Sequence, residues 1–313
     1  MDYLHAPIIQ APIGSASTPE LVAAVGNAGG LGMLSGTWRT PEALRALIAQ
    51  TQALTTQPFG VNLVLEWDMS ERLDISLEAG VPYLSFFWGA PPTELIARCH
   101  RAEATVFHTV GTVDETKAAL DAGVDMLVVQ GMEAGGHVWG ITPLMELLPA
   151  VLNIAEGAPV VAAGGIGCAA DVQTVLGMGA VAAWCGTRFL LAEEAAVHPY
   201  YQKRLIQAMA AETHLTRCFD GGWPNAPHRV LENETLRAWE AAGRPTAPHR
   251  PFEGEVVATD SADGSVEQRY TSNLPRPSLS GNLEELCLYA GTSVTHTRRV
   301  QPAAEIVVEL SGA

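Results

Sequence analysis

The amino-acid sequence predicts an α/β protein, a (β/α)8 TIM barrel followed by an additional C-terminal lobe that is mostly helical or irregular. Short apolar runs alternate with segments of helical periodicity from residue 7 to about residue 205, which gives eight strand–helix units. The predicted strands are nearly continuous in apolar residues, as is typical of a parallel sheet covered by helices. They are Pro7–Ile13, Leu31–Ser35, Phe59–Leu65, Tyr83–Trp88, Thr105–Val110, Met126–Gln130, Pro159–Ala163 and Ala180–Cys185.

Residues that begin and end helices separate these strands. Thr18 and Thr40 each precede a proline and a glutamate, so each hydroxyl is placed to cap a helix that starts with proline. Gly29, Gly80 and Gly123 stand where helices are expected to end, because glycine readily adopts the left-handed conformation of a C-terminal cap. The alternative fold, an open dinucleotide-binding sheet, is disfavoured because no GxGxxG motif follows the first strand.

The alternation stops at about residue 205, which divides the chain into three parts. We expect residues 1–205 to form the barrel and residues 206–290 to form a small lobe on the substrate side. Residues 291–313 form a segment whose helix, starting near Pro302, returns to the barrel. The lobe is rich in proline, glycine and asparagine, and its sequence predicts one short helix at Glu234–Ala242.

The composition limits the classes of partner. A formal net charge of −16 repels nucleic acid and anionic membranes, so neither is expected as a partner. The sequence has no apolar run of about 18 residues and no evident signal peptide, so we expect a cytoplasmic protein. Five scattered cysteines without a CxxC pair predict reduced thiols and no metal site. An anionic ligand of so acidic a chain needs local help from backbone N–H groups.

Two glycine-containing segments follow the last two predicted strands. Gly164 and Gly165 open the run GGIG, and Gly186 and Thr187 belong to the run WCGTRF. Active sites of TIM barrels lie at the C-terminal ends of the strands, where glycines let backbone N–H groups approach a phosphate. We therefore predict a phosphate site there. The alternative is an ordinary tight turn between strand and helix.

His137 is the candidate catalytic residue. It follows Gly135 and Gly136 at the end of the sixth predicted strand, where two glycines bring the backbone close to a ligand and place an imidazole beside it. Gln130 and Asn62 also stand at strand ends, and their amides can read the edge of a flavin pyrimidine ring. A solvated histidine and buried, satisfied amides are the alternatives. The sequence contains no GxSxG nucleophile motif and no HExxH metal motif.

Nearly the whole chain resembles one known family. The resemblance rests on the motifs PIIQAPIGSASTPELVAAVGNAGGLGMLSG, PFGVNL, SFFWGAPP, VVQGMEAGGH, PVVAAGGIG and GTRFL. They are similar to those of the nitronate monooxygenases, formerly called 2-nitropropane dioxygenases. The resemblance implies a barrel that binds FMN non-covalently and oxidises an alkyl nitronate with O2 to a carbonyl compound and nitrite.

The resemblance also implies roles for individual residues. His137 matches the family's active-site histidine, which would orient and electrostatically stabilise the nitronate anion and deprotonate a neutral nitroalkane as a general base. Tyr289 in the lobe would lie near the pocket. The implied flavin contacts are Ala11, Pro12 and Ile13 beside the isoalloxazine ring, and Asn62, Gln130, Gly135, Gly165, Trp184, Cys185, Gly186 and Thr187.

Three tryptophans depart from the family pattern. Trp184, Trp88 and Trp139 stand at or just beyond strand ends, where large aromatic rings would shrink or reshape the pocket.

Two other functions are open on the sequence alone. An NAD(P)H-dependent FMN reductase of the enoyl-acyl-carrier-protein reductase or quinone reductase type shares the EAGGH and AAGGI segments. A flavin-binding protein with little catalysis would share the same cofactor site. For the leading interpretation, the expected partners are a small-molecule substrate, a nitronate or nitroalkane, and O2.

Overall fold

The computed structural model describes residues 4–312 and contains fourteen strands and ten α-helices in that range. The strands are β1 Ile8–Gln10, β2 Met33–Ser35, β3 Gly60–Val64, β4 Tyr83–Phe87, β5 Thr105–Val110, β6 Met126–Gln130, β7 Gly136–His137, β8 Val160–Ala163, β9 Ala182–Cys185, β10 Thr213–Thr216, β11 His228–Leu231, β12 Val256–Asp260, β13 Val266–Gln268 and β14 Leu279–Gly281. The α-helices are α1 Pro19–Asn27, α2 Pro41–Leu54, α3 Ser70–Glu78, α4 Thr93–Arg101, α5 Val113–Asp121, α6 Leu144–Leu152, α7 Ala169–Met178, α8 Pro199–Gln207, α9 Glu234–Ala241 and α10 Ala303–Ser311.

Eight parallel strands form the barrel. Their order is β1-β9-β8-β6-β5-β4-β3-β2, and all seven of the paired neighbours run parallel. The two ends of this sheet meet at a parallel bridge between Ile9 and Leu31, and the Gln10 N–H donates to the Leu31 carbonyl at 2.9 Å. The predicted TIM barrel is therefore confirmed, and each of the eight predicted strands contains an observed one.

The barrel has two apolar layers because side chains alternate along each strand. On β6, Met126 and Val128 point into the barrel interior, where they pack with residues such as Phe107 and Trp184. Leu127 and the residues equivalent to it on other strands pack outwards against the helices. Both faces of the strands are buried, which explains why their sequences read as continuous apolar runs.

The predicted helix caps are present. The Thr18 Oγ1 accepts the Leu21 N–H at 3.0 Å, and the Thr40 Oγ1 accepts the Ala43 N–H at 3.2 Å. Where helices end, Gly29, Gly80 and Gly123 have φ values of +90°, +71° and +93°. The local sequence signals therefore have the structural roles expected of them.

The last helix of the barrel comes from the C-terminal segment and not from the residues that follow β9. Helix α10 packs against α1 and α7, and its buried side chains belong to the outer barrel layer. Helix α8, which comes next after β9 in the chain, buries Tyr201 and Leu205 in a separate cluster with lobe residues such as Leu288. The eighth strand–helix unit, counted as ending near residue 205, is instead completed by α10.

The lobe contains more β-structure than the sequence suggested. Helix α9 was predicted almost to the residue, but β10 and β11 pair with β7, and β12 pairs with β13 and β14 in a second antiparallel sheet. Outside these short strands the lobe has the helical and irregular structure that the sequence predicted. In the part of the chain that the structure describes, no helix combines the length and the apolar character needed to cross a membrane.

Substitution of Ile306 tests whether α10 completes the barrel. Ile306 is fully buried, so Ile306→Ala should lower the free energy of unfolding by about 2–5 kcal/mol through lost burial and a residual cavity. Val308 on the same helix is 48% exposed, and Val308→Ala should change stability by less than about 0.5 kcal/mol. Urea denaturation followed by circular dichroism measures both, and equal losses would show that α10 is not docked as described.

Candidate active site

A cavity of about 580 Å³ opens where the barrel strands end and the lobe covers them. The barrel contributes residues that end or follow seven of the strands, from Ala11 after β1 to Thr187 after β9. The lobe contributes Trp223, Tyr289 and the segment around Ser272. The volume of the cavity lies in the range of small-molecule sites, roughly 300–1,000 Å³.

Most residues singled out in the sequence line this cavity. Those found in its wall are Ala11, Pro12, Ile13, Asn62, Gln130, Gly135, His137, Gly164, Gly165, Trp184, Gly186, Thr187 and Tyr289. Cys185 is placed differently: it packs in the outer layer of the barrel, because it alternates with the inward-pointing Trp184 on β9. Burial raises the pKa of the Cys185 thiol to about 12, so this side chain is a neutral core group. The Cys185 side chain therefore faces away from the cavity.

The loop after β8 offers unused backbone donors. Gly164 and Gly165 have φ values of +107° and +73°, in the left-handed region that favours glycine. Within residues 4–312, the N–H groups of Gly165 and Ile166 donate no hydrogen bond. The Asp171 carboxylate accepts the N–H groups of the next two residues, at 2.9 and 3.1 Å. The free donors are thus confined to the part of the loop that faces the cavity, and they suit an anion.

Thr187 connects the second glycine segment to the lobe. Its Oγ1 accepts the N–H of Gly291 at 3.0 Å, and the Thr292 N–H donates to the carbonyl of Glu133 at 3.0 Å. A Cβ added to Gly135 would lie only 2.3 Å from the Gly291 nitrogen. Three backbone segments therefore meet at this edge of the cavity, and only glycine fits at their contact.

Gln130 holds the loop that carries His137. Its Nε2 donates to the His137 carbonyl at 3.2 Å, and its Oε1 accepts the Trp139 N–H at 2.9 Å. From the lobe, the Arg229 guanidinium donates to the Met132 carbonyl at 2.8 and 3.0 Å. The Gln130 amide was expected to read a flavin edge, but the structure uses both of its polar atoms to position the loop. Hydrogen bonds from Gln130 of the barrel and from Arg229 of the lobe therefore fix the backbone of this loop.

Asn62 is the amide better placed to meet a ligand. Its Nδ2 donates to the backbone carbonyl and to the Oγ of Ser85, both at 3.2 Å. These bonds fix the orientation of the amide and leave Oδ1 as the acceptor for a bound molecule. Asn62 is buried at the end of β3, so its placement is set by the barrel and not by a mobile loop.

His137 lies in an aromatic enclosure. Strand β7 pairs with β11, which places His137 opposite His228. The Trp223 ring stacks on the imidazole at 4.0 Å between centroids, and the Tyr289 and Trp88 rings lie at 5.7 and 6.3 Å. The Nε2 atom is buried and has no hydrogen-bond partner in residues 4–312.

The His137 imidazole is neutral at pH 7. Burial, and then the nearby His228, hold the pKa of His137 well below 6.5. A neutral ring offers one nitrogen that donates a hydrogen bond and one that accepts a proton. It carries no charge before a proton arrives. Such a ring can orient an anion by donating a hydrogen bond to it.

Two of the three tryptophans that were expected to narrow the pocket pack behind its wall. Trp88 and Trp139 lie outside the cavity wall, and their ring centroids are 4.4 Å apart. Trp88 also packs against Trp223 at 4.6 Å. They therefore support the ring that covers His137, while Trp184 lines the cavity floor as part of the barrel interior.

Among the wall residues that sequence reasoning missed are Trp223 and Arg39. Trp223 follows Gly221 and Gly222, the same pattern of two glycines before a ring that marked His137, so a signal was present. Arg39 follows β2, and a charged residue just after a barrel strand is a signal of the same kind.

Comparison with known proteins places this architecture among enzymes. The chain is 36% identical over 241 residues to the (3aS,4S,5R,7aS)-5-hydroxy-7a-methyl-1-oxo-octahydro-1H-indene-4-carboxyl-CoA dehydrogenase of Mycobacterium tuberculosis, with 76% of this chain and 66% of that protein covered. The chain therefore spans just under two thirds of that relative's length. It is 32% identical over 276 residues to a nitronate monooxygenase of Pseudomonas aeruginosa, with 71% and 78% covered.

A solved structure is similar over almost the whole chain. The nitroalkane oxidase from Streptomyces ansochromogenes superposes with a TM-score of 0.82 at 30% sequence identity, and covers 99% of this chain and 96% of that one. The barrel and its site are thus shared with proteins named as dehydrogenases, monooxygenases and oxidases. The family model for nitronate monooxygenase matches residues 2–75 and 66–312, so the chain belongs to the nitronate monooxygenase family. The resemblance seen in the sequence is confirmed.

Removal of the Gln130 amide should loosen the His137 loop. Gln130→Ala leaves the partly buried His137 carbonyl and Trp139 N–H without their partners, at a cost of about 1 kcal/mol or more. We expect faster amide hydrogen exchange at residues 131–139, measured by mass spectrometry. Gln52→Ala is the control, because it removes an exposed hydrogen bond to the Ala79 carbonyl, and both of these residues are far in sequence from the His137 loop. Unchanged exchange in the loop of the Gln130 variant would contradict the positioning role.

Proposed function

We propose that this chain binds FMN in the cavity and oxidises an alkyl nitronate with O2, giving a carbonyl compound and nitrite. The observation that carries the proposal is the pairing, in one cavity, of unused backbone donors after β8 with a neutral imidazole on the neighbouring loop. Donors of that kind suit a phosphate, and the imidazole suits chemistry at an acidic carbon.

The residues present fit the phosphate of FMN. The N–H groups of Gly165 and Ile166 would hold it, together with the segment Gly186–Thr187 that follows the adjacent strand β9. The two lysines, Lys117 and Lys203, are exposed and outside the cavity, so backbone dipoles take the place of lysine side chains. When bound, the flavin supplies the electron acceptor. Asn62 and the segment Ala11–Ile13 would contact its ring system.

The protein's contribution to the chemistry centres on a proton at His137. The neutral ring can donate a hydrogen bond to a nitronate oxygen, or accept the proton of a neutral nitroalkane at its free nitrogen. Trp223 and Tyr289 enclose the ring and exclude water, which keeps the imidazole uncharged. The Tyr289 hydroxyl donates to the Ser272 carbonyl at 2.8 Å, so that residue ties together two segments of the lobe beside the ring.

Oxygen consumption distinguishes this function from the alternatives. The FMN-loaded protein should consume O2 and release nitrite with ethyl or propyl nitronate, and NADH should not reduce its flavin under anaerobic conditions. Rapid anaerobic bleaching by NADH without nitronate turnover would favour the reductase. A yellow protein that is inert towards both would contradict an oxidative function on nitronates.

Substitution of Gly165 tests the phosphate site. Alanine at a φ of +73° is strained, and its Cβ would lie 3.1 Å from the Glu133 Cβ. We expect Gly165→Ala to raise the Kd for FMN about tenfold, equivalent to about 1.4 kcal/mol, in a fluorescence titration of the apoprotein. Gly177 has open space around it, so Gly177→Ala in helix α7 is the matched control and should bind FMN normally. Equal affinity in both variants would place the phosphate elsewhere.

Substitution of His137 separates turnover from cofactor binding. His137→Ala should lower kcat/KM for a nitroalkane by about 10²-fold or more, the usual contribution of a general base. Flavin content, measured by absorbance, should stay near that of the wild-type protein. A variant that keeps full activity with flavin bound would remove His137 from the mechanism.

The pH profile tests the neutral state of the ring. Because the folded-state pKa of His137 lies well below 6.5, the base stays deprotonated as the pH falls through 6.5 and becomes protonated only below that range. The acidic limb of kcat/KM for a nitroalkane should therefore lie well below pH 6.5. A limb centred at pH 6.5–7 would show an imidazole that titrates as if it were in water.

A further inference from the structure

Arg39 stands at the junction of two cavities. It lines the active-site cavity and also a second cavity of about 330 Å³ that lies beside it. Ser15 and Arg276 are likewise shared by the two walls. The second cavity continues along the start of α1, where Ser17 and Thr18 lie, so the two spaces together form an elongated site.

The Arg39 guanidinium has no partner within residues 4–312. No carboxylate of that range forms an ion pair with it, and no hydrogen bond uses its side-chain nitrogens. Only its backbone participates, since the Arg39 carbonyl accepts the Arg72 Nε at 2.9 Å. Yet the residue is half-buried, and burial followed by the nearby Arg276 lowers the pKa of Arg39 below its ordinary value. It remains a cation that lacks a counter-charge.

Arg276 lies at the same junction, but its charge is paired with carboxylates. Its guanidinium binds Asp260 and Glu267, each at 2.8 Å, and both carboxylates are buried. Those two acids fix the position of Arg276 and neutralise its charge. The repulsion that Arg276 exerts on Arg39 is thereby reduced, and the unpaired positive charge at the junction is that of Arg39.

We propose that Arg39 is a specificity-determining residue that binds an anionic group of the substrate, a carboxylate or a phosphate, remote from the reacting carbon. The inference rests on the proposed function: the reacting end lies near His137, and the anionic end reaches the junction of the two cavities. Guanidinium groups bind carboxylate and phosphate oxygens in pairs, and a half-buried site strengthens that contact. In a chain with a net charge of −16, an unpaired half-buried cation beside the site selects among substrates.

Matched substrates test the proposal with the FMN-loaded protein. The probes are a simple alkyl nitronate and nitronates of similar chain length that end in a carboxylate or in a phosphate. The wild-type protein should prefer one of the two anionic probes over the alkyl probe by at least tenfold in kcat/KM. Arg39→Met should remove most of that preference through KM, and Arg39→Lys should keep part of it, because the charge is retained without the paired donors.

Arg217→Met is the control, because Arg217 is exposed and lies outside both cavities. It should keep the wild-type preference. A wild-type protein without preference for either anionic probe would overturn the proposal. So would an Arg39→Met variant that loses kcat/KM equally on all three probes, because that result would assign Arg39 to the flavin or to the fold.

Binding without turnover separates this inference from the proposed function. Glutarate and propyl phosphate, which do not react, are titrated into the FMN-loaded protein while the flavin absorption spectrum is recorded. At least one should bind saturably, with a Kd at least tenfold lower than in Arg39→Met. If that difference is found but no nitronate is oxidised, the reaction assigned above fails while the anion site stands. If nitronates are oxidised but neither probe binds, the anion site fails alone.

Discussion

The candidate site depends on the close approach of three backbone segments, which glycine alone permits. The loop after β6, the loop after β8 and the lobe segment at Ala290–Thr292 touch one another without intervening side chains. A Cβ on Gly291 would lie 2.7 Å from the Glu133 carbonyl oxygen, and one on Gly164 would lie 2.9 Å from the Gly131 carbonyl oxygen. The glycines therefore serve two purposes: they let the lobe dock on the barrel, and they leave N–H groups uncovered for an anion.

Electrostatics in this site rely on dipoles and neutral rings more than on charge. Burial and the stacked Trp223 keep His137 uncharged, and the pKa of the neighbouring His228 is likewise lowered to about 4, mainly by burial. Protonation of either imidazole would place a positive charge in a buried position, and the lost solvation of that charge costs free energy. The site thus suits a substrate that brings its own negative charge or its own acidic proton, and a single arginine at the cavity junction is left to recognise a more distant group.

The barrel was readable from the sequence because each signal is local. Apolar runs, threonine caps and terminal glycines each concern a few adjacent residues, and the structure places all of them as expected. The lobe strands were missed because β10 to β14 are three to five residues long and several are partly exposed, so they lack a continuous apolar run. The role of the Gln130 amide was missed for another reason: its partners, at His137 and Trp139, depend on how the loop folds back on its own strand. The Cys185 side chain faces away from the cavity because neighbouring residues on a strand point to opposite sides.

The origin of the eighth outer helix has a consequence for the order of folding. Since α10 lies between α1 and α7 but follows the lobe in the chain, the barrel and the lobe cannot be completed one after the other during synthesis. Strand β1 and the first helix emerge early and must wait for residues 303–311 before their outer surface is covered. The exposed stripe on the nascent chain is apolar, so a chaperone that shields such surfaces would have its greatest effect in that interval.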